Sequence, residues 1–455
     1  MEIRRLFGTN GVRGVANVDL TPEFAIELGA SIGTFFDGGK LLVARDGRTS
    51  SVMLLEAAVS GLMQSGCDIL DIGLAPTPAL QYVTRLSDVS GAVMITASHN
   101  PPEYNGIKVI DGDGVELERE KEVEIEKIYS TKGWKPKDWK NIGIRSSKSG
   151  AIDEYREAIK CHVSEESIRA ASLKVVVDPG NGVGALVTPY LLRELGCQVY
   201  TINANVDGHF PGRPPEPAIQ HLSTLCAAMR AFGADLGVAH DGDADRAVFV
   251  DETGTAHWGD RSVALVEKYF LMENPGETVV TPVSSSVVVE EVAQAHGGKV
   301  VWTPVGSINV SRTMLKIGAK FGGEENGGIF YGPHIAVRDG AMAAALVVDI
   351  MSKTRKSLST LLNELPKHHS SKSRVACPNP LKNKVLERLR QETRKFKVET
   401  LDGVKIWFED RSWILIRPSG TEPIFRLFAE AGTGEKVSAL IEEYSKIVDK
   451  IVKSS

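Results

Sequence analysis

Two short segments of the chain hold residues whose types and spacing can do chemistry. Asp241-Gly242-Asp243-Ala244-Asp245-Arg246 presents carboxylates at alternating positions. Such a run cannot enter a core without counter-charge, and its hard oxygen ligands suit Mg2+, Mn2+ or Ca2+. An EF-hand loop also opens D-x-D-x-D, and Glu252 falls where its last ligand belongs. Arg246, however, stands where that loop needs Gly, and the flanks 236–239 and 247–250 read as strands. The remaining alternative is a solvated acidic turn. The second segment is Thr96-Ala97-Ser98-His99-Asn100-Pro101. A lone serine among small and polar residues is ordinarily a turn or a helix cap, and the G-x-S-x-G frame of serine hydrolases is missing. A hydroxyl beside a divalent cation can instead carry a phosphoryl group whose charge the metal neutralises. Ser98 therefore reads as a phosphoryl carrier, with His99 as a hydrogen-bonding partner that orients it.

Two further loops offer binding groups. In Gly323-Glu324-Glu325-Asn326-Gly327-Gly328, Glu324 and Asn326 can hydrogen-bond sugar hydroxyls, and the glycines admit the backbone close to a ring. A plain glycine loop is the alternative. In Arg417-Pro418-Ser419-Gly420-Thr421-Glu422-Pro423, a guanidinium, two hydroxyls and backbone N–H groups make a phosphate cradle, against the alternative of a simple turn. Asp178-Pro179-Gly180-Asn181-Gly182-Val183-Gly184 resembles a dinucleotide fingerprint, but its glycines fall as G-x-G-x-G, which reads as a tight turn.

The elements that must position these loops follow a repeated grammar. Helix-period stretches end in Gly and lead into apolar strands: 53–66 into 67–73, 188–196 into 197–203, 222–233 into 234–240, and 310–318 into 319–323. Alternating helices and strands imply doubly wound sheets, in which ligands bind beyond the carboxyl ends of strands. The strands predicted at 92–95, 235–240, 319–321 and 413–416 each lead into one of the four loops. The expected units are 1–148, 149–251, 252–366 and 367–455. A charged helix is expected over 116–128, and polar linkers over 130–150 and 367–380. The last unit reads as α+β, closed by a helix with an apolar stripe of Val437, Leu440, Ile441, Tyr444, Ile447, Val448 and Ile451.

Bulk properties narrow the function classes. The 455 residues carry a formal net charge of −5, with 42% hydrophobic and 24% charged residues, an ordinary globular balance with no electrostatic footprint for nucleic acid. Five unpatterned cysteines argue against a disulfide framework or a zinc site. No apolar stretch follows Met1–Arg5, and the longest apolar run, 341–351, contains Asp349. No signal peptide and no membrane span are expected, and the cytoplasm is the expected compartment.

With the four loops in this order, the chain resembles the α-D-phosphohexomutase superfamily of phosphoglucomutases, phosphomannomutases and phosphoglucosamine mutases. Phe7-Gly8-Thr9-Asn10-Gly11-Val12-Arg13-Gly14 and Arg45-Asp46-Gly47-Arg48 are also similar to segments of that family. The resemblance implies an α/β fold: three similar α/β domains with mixed sheets plus a smaller C-terminal α+β domain around a central cleft. It implies phosphoserine at Ser98, and Mg2+ held by Ser98, Asp241, Asp243 and Asp245. It also implies Lys108 as an acid–base residue, Arg246 and Arg13 at the reacting phosphate, and Glu324 on the sugar. Arg417, Ser419, Gly420 and Thr421 would bind the phosphate that is not transferred. Hexose phosphates are then the substrates and a hexose 1,6-bisphosphate the activator. The family's sugar loop often reads G-E-x-S-G-H, whereas Asn326 and Gly328 stand here, so glucosamine, glucose and mannose phosphates all stay open. Competing readings are a metal-dependent sugar phosphatase and a non-catalytic sugar-phosphate-binding protein.

Overall fold

The computed structural model describes residues 5–8, 10–420 and 422–454. Four sheets follow one another along the chain. The first has the spatial order Val12–Val15, Tyr104–Asp111, Gly91–Ile95, Leu41–Arg45, Ile69–Leu74, Arg145–Ser147. Its strands from Gly91–Ile95 onward in that order run parallel, and Tyr104–Asp111 is antiparallel to both its neighbours. The second sheet is ordered Ala256–His257, Ala247–Val250, Leu236–His240, Lys174–Asp178, Gln198–Thr201. The third is ordered Lys299–Thr303, Thr278–Pro282, Phe321–Glu324, Gly328–Tyr331, Ile335–Arg338. Each pairs parallel strands, which need helical crossovers, with antiparallel hairpins. The fourth sheet is antiparallel throughout and lies under the Gly434–Lys453 helix, which buries Val437, Leu440, Tyr444, Val448 and Ile451. The expected fold class, three mixed α/β units and a smaller α+β unit, is the one observed.

Two segments differ from their reading as linkers. His369–Ala376 is a strand paired along its whole length with Ile424–Ala431. Its polar sequence misled because it lies at a sheet edge, where charged and polar side chains face solvent. Arg145–Ser147, at the end of the other segment, adds an edge strand beside Ile69–Leu74. The presumed charged helix is Arg119–Ser130. The third loop is tighter than expected: Gly323 and Glu324 end one strand and Gly328 opens the next.

The apolar run near residue 345 is a buried helix, Gly340–Thr354, capped by Asp339 and enclosed on nearly every side. A helix hydrophobic all round belongs in a core. No helix among the described residues is long and apolar enough to cross a membrane. Around this helix the second and third sheets share one continuous core, whereas the fourth unit has its own.

That shared core holds one anomaly. Glu267, on the Gly259–Glu273 helix, is fully buried, and neither carboxylate oxygen has a hydrogen-bond partner among the described residues. Burial pushes its carboxyl well above the usual range. The folded protein keeps this proton where the unfolded chain releases it, so the group's contribution is intact in acid and lost as pH rises past the ordinary carboxylate value. Glu267→Leu should therefore raise the thermal midpoint, with a gain of about 2 kcal/mol or more at pH 8 and a smaller one at pH 5. Equal gains at both pH values in thermal unfolding would show that Glu267 ionises as it does in the unfolded chain.

Candidate active site

The Leu236–His240 strand delivers Asp241 at its carboxyl end, and the chain returns as Ala247–Val250. Within this turn Asp241, Asp243 and Asp245 each offer one oxygen within 4.8 Å of the others, and all three residues are buried. Their oxygens divide into two sets. Asp243 Oδ2 accepts from Lys108 Nζ at 2.8 Å and Thr77 Oγ1 at 2.6 Å, and Asp245 Oδ2 accepts from Arg338 Nη2 at 2.5 Å. Asp241 Oδ1 accepts from the Arg246 amide at 3.2 Å. Asp243 Oδ1 and Asp245 Oδ1 are buried with no hydrogen-bond partner, while Asp241 Oδ2 accepts the Ser98 hydroxyl at 2.7 Å. Orphaned buried carboxylate oxygens are expensive. A hard divalent cation satisfies them, so this donor set fits a metal.

Charge repulsion within the triad shows in its proton affinities. Burial, then the charges of Asp245 and Asp243, hold Asp241 well above the usual carboxylate range. Asp243 goes the other way: against burial, the Lys108 ammonium and the Thr77 hydroxyl hold it far below that range.

Ser98 is brought to the triad by a strained and heavily braced turn. Its φ of 53° is left-handed, unusual for a residue other than Gly, and its amide donates to Thr96 Oγ1 at 2.9 Å. Buried Arg48 donates to the carbonyls of Ser98 and Asn100 from one terminal nitrogen and to those of Pro101 and Tyr104 from the other, at 2.6 to 2.9 Å. Asp46 holds Arg48 Nε at 3.1 Å and Thr96 Oγ1 at 2.7 Å. Gly242 permits the contact from the other side, because a Cβ there would lie 2.5 Å from the Ser98 carbonyl oxygen. Arg13 joins the same turn, donating to Asn100 Oδ1 at 2.7 Å, and burial lowers its guanidinium to about 10.

His99 Nδ1 lies 3.3 Å from Ser98 Oγ, and its Nε2 lies 3.8 Å from Glu216. Desolvation and the guanidiniums of Arg246, Arg13 and Arg338 hold His99 well below its ordinary value. Glu216 also accepts from Arg246 Nη1 at 3.0 Å, and against burial it helps raise that guanidinium. Glu324 is buried against Arg338 at 3.2 Å, and burial raises its carboxyl. Asn326 turns inward, accepting from the Gly328 amide at 3.1 Å.

Ser98, His99, Lys108, Arg13, Arg246, the triad and Glu324 thus form one cluster. Arg417, Ser419 and Gly420 stand apart from it: Arg417 pairs with Asp402 at 2.9 Å, and the Ser419 carbonyl accepts from Lys382 at 2.6 Å. Thr421 lies outside the described residues. Sequence reasoning missed Arg338, Glu216, Thr77 and the clamp role of Arg48. Arg338 had a signal, a charge ending the apolar strand Ile335–Arg338 at its carboxyl end. Glu216, between Pro215 and Pro217, had none.

Comparison with known proteins places the whole chain. Profiles of the phosphoglucomutase/phosphomannomutase α/β/α domains I, II and III match residues 4–135, 153–254 and 258–369, and that of the C-terminal domain matches 373–447. A phosphoglucomutase/phosphomannomutase of Thermococcus kodakarensis is 44% identical over 99% of this chain and 99% of its own. A phosphoglucosamine/phosphogalactosamine mutase of Sulfurisphaera tokodaii is 43% identical over 98% of this chain and 99% of its own. The crystal structure of a phosphoglucomutase/phosphomannomutase family protein from Burkholderia thailandensis aligns with a TM-score of 0.87 at 27% identity, covering 98% of this chain and 97% of that one.

The Arg48 clamp can be tested without turnover. Arg48→Lys keeps the charge but cannot reach four carbonyls with one planar fork. It should lower unfolding stability in denaturant by about 2 kcal/mol or more and speed proteolysis around residues 98–104. Unchanged stability and unchanged nicking would show that the turn holds without the clamp.

Proposed function

The chain belongs to the phosphoglucomutase/phosphomannomutase family, whose four domains it matches in order, and from that premise we propose that it interconverts hexose 1-phosphates and hexose 6-phosphates through a phosphorylated Ser98. The observation that supports this most is the 2.7 Å hydrogen bond from the Ser98 hydroxyl to Asp241 of the triad. In this reading the hydroxyl is the phosphoryl carrier, and the buried triad beside it is a donor set suited to a cation. In this reading Mg2+ is the ion, held by Asp241, Asp243, Asp245 and Ser98, and when bound it offsets the negative charge of the transferred group.

The rest of the chemistry falls to side chains. The bond between phosphorus and the Ser98 oxygen breaks as the sugar's free 1- or 6-oxygen bonds to phosphorus. Lys108, after its ammonium has given up a proton, takes the hydroxyl proton as a neutral amine. Arg246, braced by Glu216, and Arg13 stabilise charge spreading over the phosphoryl oxygens, while His99 orients the serine side chain. The resulting 1,6-bisphosphate turns over, and its second phosphate returns a phosphoryl group to Ser98. Arg417, Ser419, Gly420 and Thr421 hold whichever phosphate is distal. Glu324 and Asn326 read the sugar, whose hydroxyls compete with Arg338 for Glu324. A hexose 1,6-bisphosphate primes the cycle by phosphorylating Ser98. Glucosamine, glucose and mannose phosphates are the candidate substrates, in keeping with relatives named for both amino and neutral sugars.

Assays of glucosamine 1-phosphate, glucose 1-phosphate and mannose 1-phosphate, with Mg2+ and a trace of the cognate 1,6-bisphosphate, should yield a 6-phosphate. Ser98→Ala should lose at least about a thousandfold in rate. Release of free phosphate without isomerisation would replace the mutase with a phosphatase.

The metal assignment has its own readout. Asp241 is already held toward its protonated form by burial and its neighbours, so Asp241→Asn should leave metal-free stability unchanged or higher. Millimolar Mg2+ should raise the thermal midpoint of the wild type and not of this variant. An equal Mg2+ shift in both would place the ion elsewhere.

A further inference from the structure

Arg417 can bind a phosphate well only if something aims its guanidinium, and the geometry points to Asp402 as the residue that aims it and makes that aim conditional on docking of the fourth unit. This inference rests on the phosphate-binding reading of Arg417. Asp402 lies in the turn between Lys397–Glu399 and Val404–Trp407. A single oxygen, Oδ2, accepts from Arg417 Nε at 2.9 Å and from the backbone amide of Val305 at 3.0 Å. Val305 belongs to the third unit, between the Lys299–Thr303 strand and the Ser307–Ile317 helix. One carboxylate oxygen therefore joins a candidate phosphate ligand of the fourth unit to a loop of the third.

Three features suit Asp402 to positioning. Engaging Nε fixes the plane of the guanidinium fork, and Nη1 and Nη2 have no hydrogen-bond partner among the described residues, leaving two parallel donors for a phosphate. The pair is largely shielded, with the side chains 13% and 17% exposed, so water screens it only partly. The turn is also shaped to sit on Arg417. Gly403, at a φ of 85°, has no room for a Cβ, which would lie 2.8 Å from the Arg417 Cα and Cβ.

The Val305 amide reaches Asp402 only while the third and fourth units touch, so the carboxylate is fixed on both sides only in the docked arrangement. Docking itself does not depend on Asp402. Lys405, ringed by Trp302, Trp407 and Trp413, donates to the Val283 carbonyl at 2.8 Å, and Glu430 accepts from the Val287 amide at 3.0 Å. A change at Asp402 thus alters the aim of Arg417 while the interface stays in place.

The test is a double-mutant cycle read by calorimetric titration of glucose 1,6-bisphosphate in a Ser98→Ala background, where no phosphoryl transfer to the enzyme occurs. Asp402→Asn should weaken binding about tenfold, the order expected for losing a charged hydrogen bond, with its thermal midpoint close to that of the parent. Arg417→Ala should weaken binding at least as much, and the double variant should bind no worse than Arg417→Ala alone. With Ser98 restored, Asp402→Asn should raise KM about tenfold and lower kcat by less. Unchanged affinity in Asp402→Asn, or additive losses in the double variant, would reduce Asp402 to a structural ion pair while leaving the role of Arg417 standing. Unchanged affinity in Arg417→Ala would instead overturn the phosphate-loop reading, and the Asp402 proposal with it.

Discussion

Three carboxylates buried within 4.8 Å of one another are the constraint on which much of this structure depends. Alone, such a group would repel itself apart or take up protons. Arg246 supplies one compensating cation from the same loop, 3.7 Å from Asp245, and the others come from outside its unit. Lys108 reaches in from the first sheet and Arg338 from the third, while Thr77 adds a hydroxyl from the first. Charge neutralisation of one turn therefore links three units that the chain makes in succession. The geometry of the metal loop and the arrangement of the domains are one problem with one solution.

This explains which parts of the molecule were legible in the sequence. The triad, Ser98 and the glycine-ended helices carry local signals: a charge pattern no core tolerates, a hydroxyl in an odd setting, a left-handed cap. The helix–strand grammar pointed to the three α/β units because burial imposes its period on each element separately. Arg338, Glu216 and Asp402 left little local trace, because each is defined by a partner far away in the chain. His369–Ala376 was misread for a related reason. An edge strand with polar side chains is stabilised by its pairing with Ile424–Ala431, which no property of its own sequence announces.

Packing separates the rigid part of the molecule from the part that can shift. The second and third sheets share a core around the Gly340–Thr354 helix, so motion between them would expose apolar surface. The fourth unit has its own core and meets the third through a small apolar cluster and a few polar contacts at Asp402, Lys405 and Glu430. Small mixed interfaces of this kind part more readily than a continuous core. The proposed turnover of a bisphosphate within the site would need such a division: a fixed reacting centre and a distal-phosphate loop that can release and regrip.

The charge balance of the cluster follows from the same constraint. Lys108, Arg13, Arg246 and Arg338 face Asp241, Asp243, Asp245, Glu216 and Glu324. Four cations thus face five carboxylates, and burial with the charges of Asp245 and Asp243 holds Asp241 well above the usual carboxylate range. A phosphoryl group on Ser98 adds about two negative charges within hydrogen-bonding reach of Asp241. In the proposed cycle a divalent cation at the Asp243 and Asp245 oxygens that lack hydrogen bonds would offset this load together with Arg13 and Arg246. The same charge would favour the ionised form of Asp241. Seen this way, the orphaned oxygens and the raised Asp241 carboxyl share one cause, the crowding of buried acidic groups in a single turn.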